Sequence, residues 1–416
     1  VSPGTENIEY DATAFSDEVI VDARDNINIQ LADTADATLT TTNGGVTVTG
    51  GKDVTITATG AVNVTGDALT SVSVTGGTGA TVDNTPTAEG ETLTSVTLTQ
   101  VDGDSTLDGD AIDTLTLKGA IASTNTITID NDQSGRGALT IKADGTGFDA
   151  GGTAQTQTIV DDNAAEVIVD AIAKSDIDID GDALTSATIK GSADIDIENI
   201  ESIASLTVTN SGVTTLDASE DTLLSIDGSE ATGDMNITGT TGDVNMTITT
   251  GSGNDTIDMI DEYEVTDVID GGAGDDVLRA ASSDFQAVSS DISADNLSGI
   301  ETIFGDTQAT AGINLTHFTG ASTLKIAGHD GAATDTFTLA SGNTLHLTAD
   351  VADGDNNTTI AVGGSGTADS VNLKVDVGVD VVADSAEKLV FDGVETVNLQ
   401  TAATGGTTAG DVNDFA

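Results

Sequence analysis

The sequence predicts an all-β protein, either an elongated β-solenoid or another multi-sheet β-rich architecture with tight glycine turns. Three observations carry this. Val, Ile, Leu and Ala alternate with Thr in short runs, the period-two pattern of half-buried strands. One phrase recurs at intervals of about 20–25 residues, the mark of stacked coils. Gly and Asp gather between the runs, where Gly supplies positive φ and the Asp side chain closes turns.

Residues 1–43 hold strand patterns without a clear repeat. Glu18-Val19-Ile20-Val21 and Asn26-Ile27-Asn28-Ile29-Gln30-Leu31 alternate, and Arg24-Asp25-Asn26 between them reads as a turn. The repeat then runs through residues 44–249. Its clearest copy is Gly66-Asp67-Ala68-Leu69-Thr70-Ser71-Val72-Ser73-Val74-Thr75-Gly76. Further copies start at Gly90, Gly109 and Gly181, with looser ones at Ile200 and Asp221. The first starts lie 90 − 66 = 24, 109 − 90 = 19 and 181 − 109 = 72 residues apart, the last being three times 24. In each copy the aliphatic residues can line one narrow core while Thr and Ser face out. A pair of β-sandwiches also places turn signals every 8–12 residues, so it stays open beside the solenoid. From residue 250 the style changes, which divides the chain into a Thr-rich repeat region, 1–249, and a glycine-turn β domain, 250–416. Short helices are expected near Ser282 to Ala287 and Ser385 to Lys388.

Composition bounds the partners. Seventy acids against 11 bases give a net charge of −59 in 416 residues. Nucleic acid and direct insertion into, or contact with, an anionic membrane are therefore excluded unless cations intervene. Asp far outnumbers Glu, which fits Asp as a turn former and as a short cation ligand. Without cysteine there is no disulfide framework, and no apolar run approaches the ~20 residues that span a membrane. No signal-peptide pattern precedes Val1, which reads as a processed or trimmed start.

The second region contains Gly271-Gly272-Ala273-Gly274-Asp275-Asp276-Val277-Leu278-Arg279. This fits the calcium-binding nonapeptide G-G-x-G-x-D-x-U-x, where U is apolar. Thr250-Gly251-Ser252-Gly253-Asn254-Asp255-Thr256-Ile257-Asp258 differs only in Thr for the first glycine. Glycines bring carbonyl oxygens close to a cation, the Asp adds charged oxygen, and the apolar residue starts a strand. Ca²⁺ takes six to eight oxygens at roughly 2.3–2.6 Å, more than one turn supplies. Gly251, Gly253 and Asp255 are thus expected to face Gly272, Gly274 and Asp276 across Ca²⁺, with Asp258, Asp267 and Asp270 nearby. Plain Gly-Asp turns without metal are the alternative. The two starts are 271 − 250 = 21 residues apart rather than 18, and residues 259–270 carry no glycine, so a long parallel β-roll is not expected here.

Gly-Ser-Gly-Asn-Asp-Thr-Ile, then Asp-Val-Ile-Asp-Gly-Gly-Ala-Gly-Asp-Asp-Val-Leu, then Leu-Ser-Gly-Ile-Glu-Thr-Ile follow in order over residues 251–303. This order resembles RTX-containing bacterial surface-layer (S-layer) proteins and large RTX adhesins of Gram-negative bacteria. A softer echo covers 363–399, with a glycine turn at Gly363 and Val394-Glu395-Thr396-Val397 matching Ile300-Glu301-Thr302-Ile303. The resemblance implies type I or related export, calcium-driven folding outside the cell and assembly into a lattice of identical subunits at the bacterial surface. It carries the metal role onto Gly251, Gly253, Asp255, Gly272, Gly274 and Asp276. A cell-surface polysaccharide anchored through cations is a further expected partner.

Enzymatic chemistry is not expected. No H-E-x-x-H helix is present, and His317, His329 and His346 sit in polar Thr/Gly/Asp contexts. No Lys follows the glycine turns to make a phosphate loop. Among 70 acids some pair always fits a glycosidase, yet the aromatics that grip sugars are scarce. Further cation candidates are Asp102-Gly103-Asp104, Asp108-Gly109-Asp110, Asp130-Asn131-Asp132, residues 178–182 and Asp353-Gly354-Asp355, each equally readable as a turn. The sequence therefore reads as a calcium-folded structural subunit of an extracellular layer. A calcium-dependent adhesin or stalk that binds surface glycans is the alternative.

Overall fold

The computed structural model describes residues 7–84, 90–130, 137–200, 202–218, 222–239, 245–259, 263–290, 296–328, 336–349, 358–363, 367–376 and 389–401. The chain forms a parallel β-solenoid divided into two compact units, Val1–Leu223 and Leu224–Ala416.

In the first unit the strands alternate between two sheets, one strand of each making a coil. Val54, Val72, Val96 and Leu115 stack in one column, at offsets of 72 − 54 = 18, 96 − 72 = 24 and 115 − 96 = 19 residues. The recurring sequence phrase is thus one rung of one sheet, repeated. The interval of 181 − 109 = 72 residues is filled by two more rungs, Leu139–Asp144 and Glu166–Ala173. Parallel pairing of successive coils excludes the β-sandwich alternative, whose neighbouring strands run antiparallel.

The alternation works as the sequence implies. Ile27, Ile29 and Leu31 are buried while Asn28 and Gln30 face solvent. Val46, Val62 and Ala80 continue the Ile27 column inside the opposite sheet. Each fully buried Val, Leu or Ile contributes about 1.5–3 kcal/mol, and the columns repeat that contribution coil after coil. Several polar residues in the core of the first unit are held by hydrogen bonds. The Gln157 amide donates to Asn125 Oδ1 at 2.7 Å, and Asn125 donates to the Val101 carbonyl at 2.9 Å. Asn84 clips a turn, donating to the Gly66 carbonyl and accepting from the Thr92 and Leu93 amides at 3.0 and 2.9 Å.

The second unit begins in the same manner, against the expectation for residues 250–279; beyond Leu297–Ser298, Thr302–Gly305 pairs directly with Thr323–Ile326, and Thr336–Leu339, Thr358–Val362 and Leu389–Asp392 form a separate three-stranded parallel sheet. Thr256–Asp258 pairs in parallel with Val277–Ala280, at an offset of 277 − 256 = 21 residues. Thr247–Thr249 pairs with Val268–Asp270 at the same offset, 268 − 247 = 21. Parallel coiling survives the longer interval because only the connection lengthens. Buried Tyr263 anchors that connection against Phe285, 5.5 Å between ring centroids. Phe285 lies on the helix Ser282–Ser290 and meets Phe318 edge-on at 5.9 Å. The helix runs three residues beyond the expected 282–287. The expected helix at 385–388, His329, most of the turn at 363–366, Asp353 to Asp355 and Asn131-Asp132 lie outside the described residues. Among the described residues, no helix is long and apolar enough to cross a membrane.

Candidate metal centre

Three short strands of one sheet, Thr247–Thr249, Val268–Asp270 and Leu297–Ser298, each lead through a turn into the other sheet. The turns, 250–255, 271–276 and 299–301, stack on successive coils. Backbone bonds tie them together: the Thr250 amide donates to the Asp270 carbonyl at 2.8 Å, and Ala273 to Gly251 at 2.9 Å. Thr250, the departure from the glycine motif, is buried, and its hydroxyl donates to the Gly271 carbonyl at 2.8 Å.

Glycine is required by this stacking. A Cβ on Gly272 would run into the Gly251 carbonyl oxygen, and one on Gly274 into that of Gly253. The expected pairs are therefore brought together: Gly251 with Gly272, Gly253 with Gly274, and Asp255 with Asp276. Asp276 Oδ1 accepts from the Asp255 amide at 2.7 Å. Asp255 accepts from the Met235 amide at 2.7 Å on the preceding coil, and from Gly251 at 3.2 Å. Asp270 Oδ1 accepts from Gly272 at 3.1 Å.

Two expected residues lie elsewhere. Asp258 closes the strand that the first turn opens, and its carboxylate pairs with Arg279 at 2.9 Å. Asp267 precedes the strand that leads into the second turn, and accepts from Met246 at 2.9 Å and Glu264 at 2.8 Å. Both sit at the strand ends away from the glycines.

Asp276 Oδ2 is buried without a hydrogen-bond partner. Burial, with Asp255, Glu301 and Asp275 adding repulsion, pushes the Asp276 carboxyl up to about 6, partly opposed by the Asp255 amide. Burial likewise raises Asp255 and Asp267. The second turn thus gathers negative charge around one unpaired buried oxygen, beside stacked glycine carbonyls. Those features fit a divalent cation. Among the described residues no three carboxylate or imidazole side chains converge as a ready-made cage. Any ion here draws on backbone carbonyls and water besides Asp276.

The structure also shows a role for acids that sequence reasoning missed. Carboxylates on one coil accept amide protons from the next: Asp102 from Ala122 at 2.7 Å, Asp104 from Thr126 at 3.0 Å, and Asp194 from Val213 at 3.0 Å. The paired Gly-[Ile/Val]-Glu-Thr elements share it, since Glu301 accepts from Asp276 at 2.9 Å and Glu395 from Asp369 at 2.7 Å. Asp102-Gly103-Asp104 is therefore a coil-to-coil clasp. Asp178 is held by the Thr158 hydroxyl at 3.2 Å, and Asp110 donates its amide to Glu91. A signal was present in the sequence: acids recur just before or after strands at the coil interval.

Asp176 is a different case. It is 1% exposed, its Oδ1 has no partner, and burial raises its carboxyl to about 6, with Asp196, Glu198 and Asp178 adding to the effect. A folded pKa above the unfolded value of about 3.9 means that the native state holds the proton more tightly. The cost is absent below pH ~4 and complete above pH ~6. Asp176→Asn should therefore raise stability near pH 7.5 by about 1–2 kcal/mol and flatten the fall between pH ~4 and ~6.5. Urea unfolding across that range checks it; an unchanged midpoint at pH 7.5 contradicts it.

No family model matches this chain, and a search of curated proteins finds no match to it.

Proposed function

We propose that this chain is a structural subunit of an extracellular bacterial layer, folded and assembled by Ca²⁺ at the stacked glycine turns. The observation that carries the reading is the buried, unpartnered Asp276 Oδ2 between turns whose glycines bring carbonyl oxygens together. Asp276 and Asp255, with carbonyls around Gly251, Gly253, Gly272 and Gly274, are the residues that would hold the ion; Asp270 and Glu301 border them. A bound divalent cation supplies countercharge there. That matters in a chain of net charge −59, whose self-repulsion opposes a compact state.

The absence of recognised catalytic motifs and the β-solenoid fold support a structural rather than an enzymatic role. Low cytosolic calcium would leave the chain loose until export, because extracellular calcium modules bind with Kd about 10⁻⁴–10⁻³ M. The adhesin reading shares the calcium chemistry but requires a glycan-binding face. A calcium titration followed by circular dichroism and negative-stain microscopy tests the proposal. Added calcium should increase ordered β structure and produce regular sheets, and EGTA should reverse both. Unchanged spectra and particle size would remove the reading, and monomers that bind glycans would favour the adhesin.

A further inference from the structure

Basic residues are rare, and their placement is uneven. Three of the chain's 11 Lys and Arg residues stand in one column of the second unit. Parallel register places Arg279 beside Phe304, Phe304 beside Lys325, Lys325 beside His346, and His346 beside Lys374. Successive rungs lie about 4.8 Å apart, so Lys325 stands two rungs, about 10 Å, from both Arg279 and Lys374, with Phe304 and His346 between them. Lys325 and Lys374 alternate with the buried Leu324 and Leu373 and are half-buried on the outer side of the sheet, while His346 between them is buried, 9% exposed.

Like charges directly opposed across a ladder are unfavourable. The first unit avoids this, since Lys142, Asp170 and Lys190 alternate in sign down their column. The second unit separates its cations with Phe304 and His346 in place of acids. Arg279 is neutralised by Asp258 at 2.9 Å and Asp306 at 3.2 Å, and His346 meets Asp376 at 2.8 Å. Phe304 is flanked by Arg279 and Lys325, 5.5 and 4.0 Å from its ring centroid, so cations already lie over its ring. No ion pair is found for Lys325 or Lys374 among the described residues. Burial holds the Lys325 ammonium below its usual range; Asp376 opposes this, while Lys374 and Arg279 deepen it.

We propose that the column Lys325–His346–Lys374 is the surface on which a second copy of this chain docks a carboxylate-bearing turn. Charge complementarity selects the occupant. A second copy of this chain carries 70 acids against 11 bases, so carboxylates are the charged groups it has most of to offer. This column offers two ammonium groups with no ion pair among the described residues, Lys325 over the Phe304 ring and Lys374 two rungs on, and a carboxylate arriving between them would be attracted by both. A sugar is the weaker fit, because the aromatic ring on which it would stack is covered by cations. The inference rests on the assembly reading above, and makes this contact independent of the calcium turns.

The test uses the full chain in calcium chloride, with assembly followed by sedimentation velocity and folding by circular dichroism. Lys325→Glu with Lys374→Glu should keep the wild-type spectrum and calcium response, yet need about tenfold more protein to assemble. Lys325→Gln with Lys374→Gln should give a smaller shift, and it replaces the reversal if that variant misfolds. Raising salt from about 50 to about 500 mM should weaken wild-type association more than that of the glutamine variant. Variants that assemble at the wild-type concentration overturn the proposal and leave the calcium reading standing. A wild type that folds with calcium but stays monomeric overturns both the proposal and the assembly reading. Lysine-dependent assembly without any calcium response supports the column and overturns the calcium reading. Unchanged self-association with lost binding to alginate, an acidic polysaccharide probe, overturns the proposal in favour of a sugar.

Discussion

Gly272→Ala should destabilise the second unit by about 3 kcal/mol or more, the range reserved for steric and backbone faults in a packed site. Two independent costs combine. Gly272 has φ +76°, a left-handed conformation that costs a side-chain-bearing residue about 1–2 kcal/mol. The added Cβ would also run into the Gly251 carbonyl oxygen and lie 2.9 Å from that of Thr250. Both obstacles are backbone, so no side chain can turn aside. Gly342 separates the two costs, because its φ is +90° but a Cβ there meets nothing within 4 Å. Gly342→Ala should lower the unfolding midpoint only slightly, and Gly272→Ala by much more. Equal midpoints in urea would show that the coils separate at the turn without penalty.

The second large effect is a reversal of order at Asp276. Asp276→Ala leaves the buried Asp255 amide without its acceptor, a loss of about 1–3 kcal/mol. Asp276→Asn retains an oxygen for that amide and removes a charge whose carboxyl stands at about 6 in the folded chain. In EGTA at pH 7.5 the expected stability order is therefore Asn above Asp above Ala. Calcium at about one hundred times Kd stabilises a binding-competent fold by about 2.7 kcal/mol. Since Asn lacks the charged ligand, the order at that calcium concentration, about 10–100 mM for a Kd of about 10⁻⁴–10⁻³ M, should become Asp above Asn above Ala. Denaturant melts of the three proteins, with and without calcium, check this. If Asn stays above Asp in saturating calcium, Asp276 acts as a coil clasp and not as a ligand.

Much of this architecture is legible before any coordinates. The phrase containing Ser71-Val72-Ser73-Val74 marks a rung because its alternation, and its turn glycine at Gly66, are local properties. Stacking distance also fixes which glycines meet, so the pairing of Gly251 with Gly272 follows from their places in the motif. What escapes is anything set by coil length or by the neighbouring coil. The 21-residue interval argues against a β-roll of contiguous nonapeptide turns, and the structure accommodates it in a connection where Tyr263 buries itself against Phe285. Asp258 and Asp267 look like metal neighbours in sequence, yet short strands carry them to the far side. The clasp role of Asp102 depends on Ala122, twenty residues on, and no local pattern names that amide.

In the first unit, a rung meets only the rungs beside it, and the connections absorb differences in length. Tandem duplication of a whole coil would therefore leave every other contact in place. Excising one would close the gap with a like neighbour, as long as the aliphatic columns of the joined coils match. Such a chain can change its size by gene-level copying without redesigning its core, and the near-identical Leu-Thr-Ser phrases starting at Gly66, Gly90 and Gly181 read as the residue of that growth.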